Sequence, residues 1–186
     1  NLMLAGVLAK GTTMIRNVAK EPEIVDLQNF LNRMGAHIKG AGTDTIKIEG
    51  CKTDDLKPVE DYTIIPDRIA AGTYLVAAAI TKGHILLTNV ITEHLEPILA
   101  KLREMGCVIN CSNGAIELYV DTPLNSLDSL RTLPYPGFPT DMQAPMMALL
   151  STVEGTSILI ETVFENRFKH AQELRRMGAN ISINGN

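Results

Sequence analysis

The chain has 186 residues, of which 45% are hydrophobic and only 4% aromatic, and its formal net charge is −4. That length allows one large domain or two small ones, and the charge gives no basic face of the kind that binds nucleic acid or an anionic membrane. No apolar run approaches the ~20 residues that a membrane-spanning helix needs, and three cysteines without a secretory signal predict a cytoplasmic protein.

The N-terminal part predicts a helix, a strand, a second helix and two further strands. The chain begins inside the first helix at Asn1, and this small-residue-rich apolar stretch ends at Gly11. The second helix enters through Pro22, a residue favoured in a first helical turn, and ends at Met34-Gly35. A turn around Gly42-Thr43-Asp44 joins the last two strands.

The middle part predicts one complete unit with the order β-α-β-α-β-β. Its first helix has Asp67 as the predicted N-cap and Gly83 as the predicted C-cap, and Asn113-Gly114 is a strong hairpin signal between its last two strands. The predicted elements are a strand at Tyr62–Ile65, a helix at Ile69–Lys82, a strand at His84–Val90, a helix from Leu95 to Gly106, and strands at Cys107–Cys111 and Ala115–Val120.

The last part repeats this order with an insertion. It starts with a strand at Leu130–Pro134, continues through a proline-rich insert at Pro134–Pro139, and enters a helix at about Asp141. It ends at Asn184-Gly185-Asn186, which has the sequence of a hairpin turn.

The three parts are copies of one unit. In each, a glycine ends the first helical stretch at an interval of 72 residues, a glutamate follows ten residues later, and a Met-Gly pair ends the second helix. These positions are Gly11, Gly83 and Gly155; Glu21, Glu93 and Glu165; and Met34-Gly35, Met105-Gly106 and Met177-Gly178. Such a period predicts repeated α/β subdomains. Because both ends cut through a unit, we expect an internal fragment of a longer protein, with three units present and two truncated.

Two loop-to-helix junctions are candidate ligand sites, because ligands of α/β units gather where helices begin. One is Pro66-Asp67-Arg68, and the other is the run from Tyr135 to Gln143, which contains Asp141. Two interpretations of Asp67 and Asp141 stay open: each carboxylate caps its helix, or it takes part in catalysis. Catalysis is favoured more for Asp141, because a rigid proline-rich loop delivers its carboxylate to a fixed place.

The segment Thr162–Phe168 differs from its counterparts in the first two copies. Either Phe164 and Phe168 line a ligand together with the charged residues between them, or the rings pack inward while Glu165 compensates the helix dipole. We expect no metal site, because Cys107 and Cys111 have no further Cys or His pair at ligand spacing.

Four segments resemble the family of bacterial UDP-N-acetylglucosamine enolpyruvyl transferases, and the resemblance covers essentially the whole chain. The most specific segment is Phe138-Pro139-Thr140-Asp141-Met142-Gln143. The others are Glu21-Pro22-Glu23-Ile24-Val25-Asp26, Ile65-Pro66-Asp67-Arg68-Ile69 and Glu161-Thr162-Val163-Phe164-Glu165-Asn166-Arg167-Phe168.

The resemblance implies an inside-out α/β barrel of β-α-β-α-β-β units, with helices inside and sheets outside. Residues 1–61 would form the last unit of one domain, and residues 62–186 two units of a second. The implied reaction moves the enolpyruvyl group of phosphoenolpyruvate to the 3-hydroxyl of UDP-N-acetylglucosamine and releases phosphate, without a metal or other cofactor. It is the first committed step of peptidoglycan synthesis.

The resemblance also implies roles for individual residues. Asp141 would contact the sugar hydroxyl and act as general base, and the backbone of Val163 would lie against the UDP-sugar. Other charged positions of the substrate cleft are matched by Glu23, Asp67, Arg68 and Arg167.

Much of the family's site has no counterpart in this chain, including its reactive-cysteine loop and most of its phosphate-binding arginines. We therefore expect the chain alone to be inactive and, because of open sheet edges, to self-associate. We expect the whole enzyme to be a monomer with small-molecule substrates. Two alternatives are the related transferase that acts on shikimate 3-phosphate, which would lack the Phe-Pro-Thr-Asp-Met-Gln segment, and a non-catalytic UDP-sugar-binding module.

Overall fold

The structure is a computed structural model that describes residues 1–185. It divides into two compact units, Asn1–Ile65 and the part from Pro66 onward. Helices and strands alternate along both units, so the α/β class predicted from the sequence is confirmed. In the part of the chain that is described, no helix is long and apolar enough to cross a membrane.

The first unit contains two helices and one three-stranded antiparallel sheet with the order β1-β3-β2. Its elements are α1 (Leu2–Val7), β1 (Thr12–Arg16), α2 (Pro22–Met34), β2 (His37–Lys39), β3 (Thr45–Glu49) and a short 3-10 helix at Thr53–Asp55.

Local sequence fixes both ends of α2. Pro22 occupies the first turn, where its missing N–H costs no hydrogen bond. Gly35 follows the helix with φ 113°, and a Cβ there would lie 2.7 Å from the carbonyl oxygen of Asp55. Only glycine tolerates both the backbone angle and this close approach.

The helices of the first unit cover one face of its sheet. Ile38, Ile46 and Ile48 are buried on that face together with Met3 and Val7 of α1. Along β3 the buried isoleucines alternate with exposed Lys47 and Glu49, as expected for a half-buried strand.

The segment Tyr62–Ile65 forms no strand, so this prediction is wrong. The hydroxyl of Tyr62 donates to the Asp26 carboxylate at 2.7 Å, and its ring packs edge-on against Phe30 at 5.0 Å between centroids. The segment is therefore held through a side chain on α2, while its backbone pairs with no strand of the described part. β-prone residues form a strand only where another strand is available to complete the ladder.

The second unit begins with a copy of the same arrangement. Its sheet has the order β4-β6-β5, and both pairings are antiparallel. The elements are α3 (Arg68–Ile80), β4 (His84–Thr88), a 3-10 helix at Thr92–His94, α4 (Glu96–Glu104), β5 (Val108–Ser112) and β6 (Ala115–Tyr119).

The predicted hairpin at Asn113-Gly114 is confirmed. Ser112 pairs with Ala115, and the two residues between them have φ values of 47° and 71°. Positive φ at both central positions matches the right-handed twist of the flanking strands, which explains the Asn-Gly sequence.

The C-terminus of α3 lies earlier than predicted. The helix ends at Ile80, and Lys82 rather than Gly83 adopts the left-handed conformation, with φ 52°. The N–H of Gly83 instead donates to the carbonyl of Ala78 at 2.8 Å, five residues back. Gly83 therefore occupies the position after the left-handed residue, as in a Schellman motif.

The third copy follows within the second unit. β7 (Ser129–Arg131) pairs in parallel with β8 (Ile158–Ile160), and the chain between them passes through a 3-10 helix at Thr140–Met142 and α5 (Gln143–Leu150). α6 (Lys169–Arg176) ends before Gly178, which has φ 102°. Residues 179–185 form no helix or strand, and Asn186, the last residue of the predicted turn, lies outside the described residues.

One apolar core spans both copies of the second unit. Leu75, Leu102 and Leu118 come from the middle copy, and Leu130 and Met142 come from the third; all five are fully buried. The core therefore anchors the residue next to Asp141.

Candidate active site

Asp141 follows a loop, Leu133–Pro139, that is closed by hydrogen bonds between its own backbone groups. The N–H of Leu133 donates to the carbonyl of Phe138, and the N–H of Gly137 donates to that of Pro134, both at 2.9 Å. Two of the next residues, Pro139 and Met142, are buried, whereas the Asp141 carboxylate is 57% exposed. The loop thus holds the Asp141 carboxylate in solvent while the residues on either side of it are anchored by burial.

Helix α3 packs against the 3-10 helix Thr140–Met142, which is called the Asp141 turn below. A Cβ on Gly72 would lie 3.0 Å from the Met142 sulphur, and the Thr73 hydroxyl lies 3.9 Å from the same atom. A small residue in α3 therefore lets the Asp141 turn approach the helix closely.

Asp141 does not cap a helix, so the capping interpretation is wrong for this residue. The 3-10 helix has Pro139 at its N-cap, α5 has Met142, and neither receives a side-chain cap. The Asp141 carboxylate instead accepts a hydrogen bond from the guanidinium of Arg167 at 2.8 Å. The structure therefore brings together Asp141 and Arg167, two candidate site residues that lie in separate segments of the sequence.

Arg167 also contacts an aromatic ring. Its guanidinium lies 5.0 Å from the centroid of Phe164, which is 53% exposed, so this ring does not pack inward. Glu165 lies outside the first turn of α6, which contains no acidic residue, so the predicted dipole role is wrong. The segment Glu161–Phe168 after β8, called the β8 exit below, thus places a cation and an aromatic ring beside Asp141.

Glu161, which directly follows β8, hydrogen-bonds the backbone of the next residues in the β8 exit. Its Oε1 accepts hydrogen bonds from the hydroxyl of Thr132 at 2.8 Å and from the N–H groups of Val163 at 2.8 Å and Phe164 at 3.1 Å. One carboxylate oxygen therefore fixes the backbone on which Val163 lies.

The other oxygen of Glu161 binds the Asp141 turn. Oε2 accepts from the hydroxyl of Thr140 at 2.8 Å and from the side-chain amide of Gln143 at 3.0 Å. Gln143 is only 1% exposed, and its own amide oxygen has no partner among the described residues. Sequence reasoning did not select Glu161 as a site residue.

The pKa of Glu161 lies below its ordinary value. Burial acts to raise this pKa, but the N–H of Val163, the hydroxyls of Thr132 and Thr140 and the N–H of Phe164 all favour the charged carboxylate and outweigh it. Glu161 is therefore a charged acceptor with five donors around it.

A sequence signal for Glu161 exists in the repeat. The same interval of 72 residues that relates the glycines places Asn89 and Asn17 at the matching positions of the other copies. Both asparagines adopt left-handed backbone angles, φ 56° and 54°, at the ends of β4 and β1. Glu161 replaces this turn residue in the one copy that also carries Asp141.

Val163 is half-buried beside the Asp141 turn. Its only N–H already donates to Glu161. A ligand that meets this backbone can therefore hydrogen-bond only the carbonyl oxygen of Val163, which accepts and does not donate.

Asp67 and Arg68 begin α3 in the same unit. The Asp67 carboxylate accepts from the N–H groups of Ile69 at 2.8 Å and Ala70 at 3.0 Å, so the capping interpretation is confirmed for this residue. Arg68 is only 7% exposed, and its guanidinium lies 5.4 Å from the ring centroid of Tyr135, in the loop that leads to Asp141. The two candidate junctions are thus neighbours.

Glu23 belongs to the first unit, where it is exposed in the first turn of α2. Within residues 1–185, no group of three His, Cys, Asp or Glu side chains is arranged to hold a metal ion. Cys107 is buried, Cys51 is half-buried and Cys111 is exposed, and all three are free thiols.

The repeated units are those of the enolpyruvyl transferase fold. The chain is similar to the solved structure of the enolpyruvyl transferase NikO from Streptomyces tendae, with a TM-score of 0.83 and 25% identity over 98% of this chain and 43% of that one. A sequence model of the family described as EPSP synthase (3-phosphoshikimate 1-carboxyvinyltransferase) matches residues 1–186. The chain belongs to this family.

Curated relatives have a more specific name. UDP-N-acetylglucosamine 1-carboxyvinyltransferase 1 of Caldanaerobacter subterraneus subsp. tengcongensis is 58% identical over 185 residues, which is 100% of this chain and 44% of the relative. The protein of the same name from Symbiobacterium thermophilum is also 58% identical over 185 residues, with 41% of its length covered. The predicted resemblance is confirmed, and the chain spans less than half the length of these relatives.

Proposed function

We propose that the full-length protein carrying this chain transfers the enolpyruvyl group of phosphoenolpyruvate to the 3-hydroxyl of UDP-N-acetylglucosamine and releases phosphate. The observation that carries this proposal is the identity of 58%, across the whole chain, to a relative named for this activity. Peptidoglycan synthesis in the bacterial cytoplasm is the matching cellular role.

Asp141 is the proposed general base. Arg167 is the only residue of the described part that hydrogen-bonds its carboxylate, and it uses one oxygen, Oδ1. Oδ2 can therefore accept the proton of a sugar hydroxyl, provided that the hydroxyl comes within hydrogen-bond distance.

Other groups of the second unit are proposed to bind the substrates. The carbonyl of Val163 accepts a hydrogen bond from the sugar, since its N–H is occupied by Glu161. Arg167 and Arg68 attract the anionic groups of both substrates, and a guanidinium suits phosphate and carboxylate geometry. Asp67 contributes through the start of α3 that it caps. Glu23, in the first turn of α2, is proposed as a substrate-binding residue on the family resemblance alone.

We propose that the domain organisation follows the family. Residues 1–61 supply the last unit of one domain, and residues 62–186 supply two units of the other. The reaction uses no metal and no cofactor, and the whole enzyme acts as a monomer.

A direct assay tests the proposal. Full-length protein is incubated with phosphoenolpyruvate and UDP-N-acetylglucosamine, and phosphate release is followed together with the mass of the sugar product. We expect one phosphate for each enolpyruvyl-UDP-sugar formed. Absence of both products in correctly folded protein would reject the proposal.

Shikimate 3-phosphate is the second candidate acceptor, because the matching family model is named for it. The same assay with this acceptor separates the two activities. We expect no product, because the relatives that are 56–58% identical are named for the UDP-sugar. Faster turnover with shikimate 3-phosphate would reverse the assignment.

The isolated 186-residue chain tests the non-catalytic alternative. We expect it to release no phosphate, because the family's reactive-cysteine loop has no counterpart in this chain. Titration of the chain with UDP-N-acetylglucosamine shows whether it still binds the sugar.

A further inference from the structure

We infer that Glu161 is a positioning residue, whose single carboxylate sets the distance between the Asp141 base and the backbone of Val163. This inference rests on the proposed function, because it assigns Glu161 a role in the same reaction. Glu161 acts through its neighbours, since its two oxygens are occupied by protein donors.

The geometry ties both sides of the site to one side chain. Oε1 holds the N–H of Val163 itself, and Oε2 holds the hydroxyl of Thr140, the residue adjacent to Asp141. These two segments lie on opposite sides of α5 and β8 in the sequence. A shift of the Glu161 carboxylate would therefore move the base relative to the backbone that meets the sugar.

Two of the residues that donate to this carboxylate are themselves fixed by burial. Thr132 is fully buried on the chain leaving β7, and Gln143 is fully buried in the first turn of α5. Both donate to Glu161. Buried residues therefore hold the carboxylate, and the carboxylate holds the two segments that contain Thr140 and Val163.

The free amide oxygen of Gln143 makes Glu161→Gln an informative variant. After a half-turn of the Gln143 amide, its oxygen can accept from the new side-chain NH₂ of residue 161, and Thr140 can accept the second hydrogen. The new carbonyl oxygen can keep the donors on the Oε1 side. This variant thus loses the negative charge of residue 161 but keeps the Asp141 turn and the backbone of Val163 in place.

Glu161→Asp is the complementary variant. It keeps the charge but shortens the side chain by about 1.5 Å, one carbon–carbon bond. The carboxylate can then no longer reach the donors of both segments. A positioning role predicts that this variant is the poorer enzyme, whereas a role in proton transfer predicts the opposite order.

The experiment measures kcat, KM and backbone amide exchange in full-length protein. For Glu161→Asp we expect kcat to fall on the order of 100-fold, because a misplacement of about 1 Å has such an effect, with faster exchange at Val163 and Phe164. For Glu161→Gln we expect kcat within about tenfold of wild type and exchange that stays slow. Glu154→Gln, at an exposed position after α5, is the matched control and should change neither readout.

A second pair of variants applies if Glu161→Asp does not fold. Thr140→Val removes the hydroxyl that Glu161 accepts from, and Thr140→Ser keeps it. We expect kcat to fall in the valine variant and to be retained in the serine variant, with KM for the sugar unchanged in both.

The outcomes separate this inference from the proposed function. Wild-type kcat in Glu161→Asp or, where that variant is unfolded, in Thr140→Val overturns the positioning role. A Glu161→Gln variant as impaired as Glu161→Asp also overturns it, because charge would then matter more than reach. Wild-type protein that releases no phosphate rejects the proposed function itself, and the inference with it.

Discussion

The Asp141 carboxylate and the Arg167 guanidinium form a 2.8 Å ion pair that connects the loop before α5 to the segment after β8. Both side chains are more than a third exposed, so the pair adds at most ~1 kcal/mol to stability. Its consequence is orientation: one carboxylate oxygen is held and the other is open.

Asp141→Asn should separate activity from stability. We expect turnover to fall by roughly 10²–10⁴-fold, because an amide cannot take a proton as general base. The unfolding temperature should hardly change, because Asp141 makes no helix cap that the variant could lose. Steady-state kinetics and a thermal melt measure the two effects, with Asp128→Asn at another exposed position as control. Near-normal turnover would remove Asp141 from the mechanism.

Asp67→Ala should lower the stability of the fold. The variant loses two hydrogen bonds at the start of α3, and we expect the free energy of unfolding to fall by about 1 kcal/mol. Asp67→Asn should recover most of this loss, since its amide oxygen can still accept. Urea unfolding of both variants gives the comparison, and equal stability of wild type and Asp67→Ala would contradict the cap.

Glu161 should make stability depend on pH. Its pKa in the folded protein is lower than the ordinary value of 4.5, because its hydrogen bonds outweigh the effect of burial. The stabilisation is therefore fully present above about pH 4.5 and is lost as the pH falls through the folded-state pKa. The difference in unfolding temperature between wild type and Glu161→Gln should be largest near pH 7 and shrink below pH 4.5. A difference in unfolding temperature that does not vary with pH would contradict the lowered pKa of Glu161.

Cys107 should resist alkylation in the folded protein. Burial raises the pKa of this thiol to about 11, so only about one molecule in a thousand carries the reactive thiolate at pH 8. Exposed Cys111 should react first. Peptide mapping after iodoacetamide treatment distinguishes the two sites, and urea should make their labelling equal. Rapid labelling of Cys107 in native protein would mean that the core of the second unit opens easily.

The sequence predicts those features of the fold that depend on neighbouring residues. Asn113-Gly114 forms the expected hairpin because both residues accept positive φ, and α2 ends at Gly35 for the same local reason. These elements need no knowledge of distant parts of the chain.

Two of the errors involve partners that are distant in sequence. Tyr62–Ile65 has the composition of a strand, but Tyr62 is held by Asp26, 36 residues away. Asp141 has the position of an N-cap, but its partner Arg167 is 26 residues further on. Glu161 begins a segment that resembles the family, but no spacing marks it as a site residue, whereas its difference from Asn17 and Asn89 does. Spacing alone does not contain these tertiary contacts.

The exchange of asparagine for Glu161 shows how a duplicated unit acquires an individual task. Asn17 and Asn89 follow β1 and β4 with nearly the same left-handed backbone angle, so the ends of these two strands are alike. In the third copy, the same position collects donors from the strand exit and from the loop inserted before α5. Three identical copies would have three equivalent strand ends, whereas one altered residue gives a single strand end contacts that the other two copies lack and so breaks the symmetry of the repeat.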